Sequence, residues 1–359
     1  MTPSDTPPGP DRRTFLRSLA SAGTVLLFWP QRTVGAARST RRMSTMGADG
    51  PAPASDYKYR TVAVDHLAEM KAIYERLSKE GRLSQNKTYL SYLHDFDFAP
   101  PPELPHARSL VIAATPWKLQ SVSLQFDGRN YVILLPGGYF YYSNAPFIEA
   151  LKQRIAREVV GDPSIKLVPA NPPLKAMAVR SGLAEYGRNN IAYVEEYGSF
   201  HVLWAFFTER ALPDQWNRPF RMMRLCKGCS LCRRGCTTGA ISESSFMVNA
   251  TRCVTLYNEM KDPIPDFIDP KVHNALIGCL RCQITCPANL ELIGNVETCA
   301  TLTKEEADLL VRARHDPKLE AAVTRKLKAL GNFYAEDLSY LSRNLRLALA
   351  NIAGAEAPA

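Results

Sequence analysis

Seven of the nine cysteines stand in two short runs. Cys226, Cys229, Cys232 and Cys236 are spaced C-x2-C-x2-C-x3-C, and Cys279, Cys282 and Cys286 are spaced C-x2-C-x3-C, with Pro287 next. Thiolates at these intervals on a tight loop wrap three corners of a cubane iron–sulfur cluster, and the fourth cysteine of the run serves a second cluster. The chemistry they support is transfer of single electrons. Zinc sites use separated C-x2-C pairs with four ligands per ion. The first run crowds too many thiolates around one tetrahedral ion. Disulfide frameworks rarely use adjacent C-x2-C pairs.

Two [4Fe–4S] clusters need eight thiolates, one more than the runs supply. Cys253 lies between the runs and is the better candidate for the eighth; Cys299 follows both. Crossing over puts one cluster on Cys226, Cys229, Cys232 and Cys286, and the other on Cys236, Cys253, Cys279 and Cys282. Cys299 is left as a small apolar side chain for packing.

The N-terminus has a pattern of its own. Arg12-Arg13-Thr14-Phe15-Leu16 precedes an apolar run from Leu19 to Trp29, and small residues follow at 34–37. This is the order of a twin-arginine (Tat) export signal over residues 1–37. The apolar run is too short for a conventional membrane span. The Tat route carries folded proteins, so clusters inserted in the cytoplasm can travel with the chain. The expected location is the periplasm or the outer face of the cytoplasmic membrane, with the Tat machinery as a partner.

The 359 residues carry 44 Lys/Arg against 35 Asp/Glu, a formal charge of +9. No basic block interleaved with aromatics is visible, which argues against a nucleic-acid partner. The expected partners are a small-molecule substrate and a low-potential electron donor or membrane redox partner.

The elements that must position the cysteines follow from periodicity. Residues 38–55 read as a linker. A helix is expected over Ala63–Leu83, strands over Ser109–Thr115 and Asn130–Leu135, and a helix over Asn144–Val160 stopped by Gly161. A strand at Lys166–Val168 and a helix at Leu174–Glu185 follow. Ile191–Val194 and His201–Thr208 read as neighbouring strands around a turn. This alternation predicts an α+β chain. A mixed α/β sandwich over 56–220 is followed by a ferredoxin-like two-cluster domain over 221–300. A helical segment over 301–359 closes the chain, with helices at Lys304–Arg314 and Leu338–Ile352.

One stretch is more specific than the cysteine spacing. Residues 174–189 contain Ala178-Val179-Arg180-Ser181-Gly182-Leu183 and Gly187-Arg188-Asn189, and Tyr197-Gly198-Ser199 and Thr208 follow. With the cysteine runs, Arg252-Cys253 and Leu341-Ser342-Arg343-Asn344, this resembles the epoxyqueuosine reductase and reductive dehalogenase superfamily over about residues 100–350. The resemblance implies a nitroreductase-like domain and a corrinoid (cobalamin) packed between it and the two-cluster module. It places Gly187, Arg188 and Asn189 at that corrinoid. Epoxyqueuosine reductases carry a Tyr-Ala-x-Gly-x-Asp-Tyr-His motif whose Asp donates a proton. Here Gly137-Gly138-Tyr139-Phe140-Tyr141-Tyr142 stands instead, without Asp. Dehalogenases of the superfamily are exported and use a Tyr.

Tyr139, Tyr141 and Tyr142 are therefore the candidate proton donors, protonated at neutral pH, with Arg188 as a cation to stabilise the phenolate. Lys175 and Arg180 read more simply as helix charges than as contacts to a corrinoid or substrate anion. The leading expectation is an exported, dehalogenase-like corrinoid reductase fed by two clusters. The alternatives are an electron-transfer protein without corrinoid and an epoxyqueuosine reductase-like enzyme.

Overall fold

The computed structural model describes residues 56–138, 144–243, 246–261, 263–328 and 338–356. The export signal, the linker and Tyr139, Tyr141 and Tyr142 lie outside the described residues.

The elements run β1 (Lys58–Ala63), α1 (His66–Lys79), α2 (Lys87–His94), β2 (Ser109–Pro116), β3 (Leu119–Phe126), β4 (Arg129–Leu135), α3 (Ala145–Ile155), β5 (Val168–Ala170), α4 (Leu174–Arg180), β6 (Ala184–Tyr186), β7 (Ala192–Val194) and β8 (His201–Thr208). The cysteine segment adds the short helices α5 (Leu231–Gly235), α6 (Val254–Asn258) and α7 (Arg281–Ile284). Then come β9 (Val296–Leu302), α8 (Lys304–Val311), α9 (Pro317–Lys328) and α10 (Leu338–Glu356). None of the described helices is long and apolar enough to cross a membrane.

The central sheet has the order β1-β2-β8-β5, with every pair antiparallel. Its inner strands are apolar on both faces because both are covered. Leu110, Ile112, Leu203, Ala205 and Phe207 pack with Leu67 and Met70 of α1 and Met177 of α4. Val111, Ala113, Val202, Trp204 and Phe206 face Phe147, Leu151 and Ile155 of α3. Burial on both faces explains why these strands read as continuous apolar runs.

A second sheet, β4-β3-β9, joins β3 to β9 in parallel. It packs on α8, α9 and α10 through Val122, Ile133, Ala300, Leu310, Val323 and Leu345. The chain thus leaves the first layers, forms the cysteine segment, and returns to pair with a strand laid down 177 residues earlier. A parallel partner so distant leaves no local signal, and β9 went unpredicted. So did β1, β3, α2 and α9.

Several expected elements differ, among them β5, which runs Val168–Ala170 rather than Lys166–Val168. The first helix begins at His66, not Ala63, because Lys58–Ala63 pairs with β2. The helix expected to reach Glu185 stops at Arg180, since Gly182 takes a left-handed φ of +77° and Ala184–Tyr186 becomes β6. β7 pairs with β6 rather than with β8. The hairpin of β6 and β7 carries the Gly187-Arg188-Asn189 turn toward the cysteine segment.

Candidate iron–sulfur site

None of the nine cysteines is in a disulfide. Their mutual influence divides eight of them into two sets. The Cys232 thiol is pushed up to about 11, first by burial and then by repulsion from Cys286, Cys226 and Cys229. The Cys282 thiol is raised by burial and by Cys279, Cys253 and Cys236. Cys279 is pushed up to about 11 by burial, with Cys253 and Cys236 adding to the rise. Cys226, Cys229, Cys232 and Cys286 line one small pocket with Arg188 and Tyr193, and Cys279, Cys253 and Cys236 all act on the Cys282 thiol. Four ionised thiolates in one buried place repel each other strongly, and iron ions would offset that repulsion and hold them deprotonated. Among the described residues, no three His, Cys, Asp or Glu side chains converge as ligands of a single ion would. Cys299 belongs to neither group: its Sγ donates to the Ser121 carbonyl at 3.1 Å, within the second sheet.

The turn at 187–189 is wedged between the two groups. The Arg188 backbone N–H donates to Cys226 Sγ at 3.4 Å. Its guanidinium donates to the carbonyls of Cys229 and Cys226, each at 3.1 Å. Buried Asn189 donates to Tyr193 Oη at 3.0 Å and to the Cys282 carbonyl at 3.4 Å. Asn189 also lowers the pKa of the Cys282 thiol against the rise from burial, and the Tyr193 hydroxyl does the same for Cys286. A methyl group on Gly187 would collide with Asn189 and the Tyr193 ring, so glycine is required by close approach. All three residues expected at a corrinoid are thus placed against the cysteine groups, and Arg188 is committed to the first run.

Tyr193 escaped the sequence reading, because nothing marks a tyrosine in a short strand as a sulfur donor. Burial and the nearby thiols raise its pKa far above the ordinary range, so it stays protonated, with a proton to offer Cys286. A hydrogen bond to a cluster sulfur favours the more negative, reduced state and raises the potential. Tyr193→Phe is expected to lower the potential of the first cluster by on the order of 40 mV, equivalent to about 1 kcal/mol for one electron. Spectroelectrochemical titration of both clusters reads this directly. An unshifted potential would leave Tyr193 as packing alone.

The second run is held from two sides. Asn289 accepts from Ser199 N–H at 2.9 Å and donates to Ser199 Oγ at 2.8 Å, tying the segment after Cys286 to the Tyr197-Gly198-Ser199 turn. Asn258 donates to the Gly278 carbonyl at 2.7 Å, and Asn344 of α10 donates to the carbonyls of Asn258 and Leu276 at 2.9 and 2.8 Å. Pro136 packs on Gly278, where an added Cβ would stand 3.1 Å from its ring.

Lys175 also lies near the second group. Its Nζ bonds the carbonyl and side chain of Asn190 at 3.1 and 3.3 Å, and its pKa is lowered by burial and raised by Cys253. Arg180 pairs with Glu69 at 2.9 Å and stacks on Trp216.

Above the β6–β7 hairpin lies a cavity of about 910 Å³. Tyr193 and Val194 line it, Arg60, Arg218 and Arg221 stand on its wall, and Tyr193 also borders the first cysteine group.

Comparison with known proteins adds to this geometry. Residues 225–289 match the 4Fe-4S double cluster binding domain. The chain is 29% identical to the epoxyqueuosine reductase of Pseudomonas aeruginosa over 238 residues, covering 62% of each chain. It is 26% identical to that of Staphylococcus aureus, covering 65% of this chain and 63% of the relative. It therefore spans less than two thirds of the length of these relatives. The fold is that of epoxyqueuosine reductases. The Streptococcus thermophilus structure matches with a TM-score of 0.55 at 16% identity, covering 82% of this chain and 77% of the other. Sequence and fold together relate this chain to epoxyqueuosine reductases, as a mixed α/β chain with a double 4Fe-4S cluster binding domain.

These relatives favour the epoxyqueuosine reductase-like alternative over the dehalogenase-like reading. They also overturn the expectation of no nucleic-acid partner. A similar structure, with a TM-score of 0.54 at 20% identity and covering 82% and 77% of the two chains, is an epoxyqueuosine reductase with a tRNA-Tyr epoxyqueuosine-modified stem loop. That expectation looked for a basic block interleaved with aromatics and passed over Arg218 and Arg221, which line the cavity together with the distant Arg60.

Proposed function

We propose that this chain is an iron–sulfur reductase of the epoxyqueuosine reductase type that acts on a modified nucleoside carried by tRNA. The observation that carries the reading is the pair of four-thiol groups clamped to the α/β layers by Arg188, Asn189 and Asn289. Cys226, Cys229, Cys232 and Cys286 would hold one [4Fe–4S] cluster, and Cys236, Cys253, Cys279 and Cys282 the other. Bound there, the clusters supply single electrons, and a corrinoid supplies the low-potential centre for a difficult reduction.

The residues present fit such a bulky cofactor. The cavity of about 910 Å³ stands at the upper end of ligand pockets, roughly 300–1,000 Å³, and reaches Tyr193 beside the first cysteine group. Tyr193, Val194 and Leu183 would hold the cofactor's apolar surface. Arg60 and Arg218 at the wall make no ion pair among the described residues and suit RNA phosphates. Removing an epoxide oxygen as water takes two electrons and two protons, which matches a store of two one-electron centres. Tyr139, Tyr141 and Tyr142 are the proposed proton sources, in place of the Asp of the relatives' motif.

The test is direct. Anaerobic, reduced protein is incubated with epoxyqueuosine-bearing tRNA, and the digested nucleosides are weighed by mass spectrometry. A nucleoside lighter by one oxygen supports the reading. An unchanged nucleoside with both clusters loaded and reducible contradicts it.

The Arg12-Arg13-x-Phe15-Leu16 pattern favours a second reading, about location alone: export of the folded chain by the twin-arginine route. Arg12→Lys with Arg13→Lys should then hold the precursor in the cytoplasm, as cell fractionation would show. Unchanged distribution would remove the export reading. An exported chain does not meet cytoplasmic tRNA, so the two experiments discriminate between the readings.

A further inference from the structure

We propose that the outer face of the first cysteine run is the docking surface for an acidic one-electron carrier protein, which delivers its electron to the cluster on Cys226, Cys229, Cys232 and Cys286. The proposal rests on the cluster reading above and adds the place and chemistry of electron entry.

Three observations lead there. The first is charge. Residues 215–242 hold six cations, Arg218, Arg221, Arg224, Lys227, Arg233 and Arg234, and not one Asp or Glu. Arg224 and Lys227 are exposed and make no ion pair among the described residues. Arg234 bonds Ser230 of the same loop.

The second is apolar exposure beside a ligand. Leu225, the peptide neighbour of Cys226, is 51% exposed, and Met222 is 38% exposed. In the second run the large apolar peptide neighbour of Cys279 is Leu280, and it is 4% exposed. The second run lies beneath α10, Asn258 and Pro136. Of the two runs, the first is the one that presents a large apolar side chain to solvent next to a ligand.

The third is rigidity. Arg188 pins the Cys226 and Cys229 carbonyls from inside, so the loop is ordered before any partner arrives. A pre-ordered surface loses little entropy on binding.

Arg221 and Arg233 pair with Glu185 and Glu243, which leaves Arg224 and Lys227 beside the exposed Leu and Met side chains, an arrangement that suits a brief encounter with an acidic protein. The charges steer the approach and the small apolar centre excludes water. Redox encounters are among the smallest protein interfaces. An RNA backbone would use the cations and leave Leu225 and Met222 without a role. The step makes and breaks no bond. The carrier's reduced centre loses one electron and is oxidised, and the oxidised cluster gains it.

The experiment follows bleaching of the iron–sulfur absorbance in a stopped-flow instrument, with the full cluster-loaded chain and a reduced, small acidic ferredoxin. Arg224→Glu with Lys227→Glu should lower the second-order rate at low ionic strength by on the order of tenfold or more. The wild-type rate should fall with salt, and the double variant's rate should hardly change. Leu225→Ser should slow reduction at all salt concentrations. Iron content and bleaching by dithionite, a small reductant that needs no docking, should match wild type in each variant. Equal rates with the protein donor would overturn the proposal. So would unchanged donor rates together with lost binding of a tRNA stem loop, which would assign this face to nucleic acid. If dithionite fails to bleach the wild-type chain, the cluster reading falls and the proposal falls with it.

Discussion

Cys253→Ala lowers the iron content of the anaerobically purified protein from about eight to about four per chain, because a cubane is held by four thiolates and this change removes one from the second set alone. Cys253 is outside both runs, yet its thiol is raised first by burial and then by Cys236, and it in turn raises Cys279 and Cys282. The first set keeps its four cysteines and the Arg188 and Tyr193 contacts that support them. Cys299→Ala is the control. That thiol bonds a strand carbonyl in the second sheet, and its pKa of about 12 reflects burial first. The control should retain all the iron. Full iron in the Cys253 variant, or loss in the Cys299 variant, would exchange the two roles.

Asn344→Ala is expected to destabilise the protein by about 2–6 kcal/mol, since each buried carbonyl left without its donor costs about 1–3 kcal/mol. Asn344 is fully buried, and its one amide nitrogen serves both Asn258 and Leu276. Neither carbonyl can turn to water, because Leu276 is buried and Asn258 is fixed by its own bonds to Gly278 and His273. The loss should fall on the second cysteine run, three residues beyond Leu276. Thermal melts followed separately by iron–sulfur absorbance and by backbone circular dichroism would read it. Cluster bleaching should come earlier than in wild type. An unchanged melt would show that α10 does not support the run.

The cysteine pattern was the most legible part of this chain, because ligand spacing is a local constraint that survives as a local motif. The supports around it are not local. Asn344 reaches residues 68 and 86 positions away, and Asn289 reaches one 90 positions away. In the sequence each is an ordinary polar residue. β2 and β8 were readable since burial on both faces gives continuous apolar runs, whereas β9 owes its conformation to β3. Charge misled in a particular way. A chain-wide balance of 44 against 35 conceals a segment of 28 residues with six cations and no carboxylate. The Gly187-Arg188-Asn189 turn was noticed for its resemblance, but only the fold shows that it faces the cysteines.

The most direct test of the two-cluster account is quantification of iron, acid-labile sulfide, zinc and cobalt in one anaerobic preparation. The account predicts about eight irons and eight sulfides per chain, from four of each per cubane, with cobalt present once corrinoid is supplied under reducing conditions. Zinc in place of iron, or about four irons per chain, would contradict it.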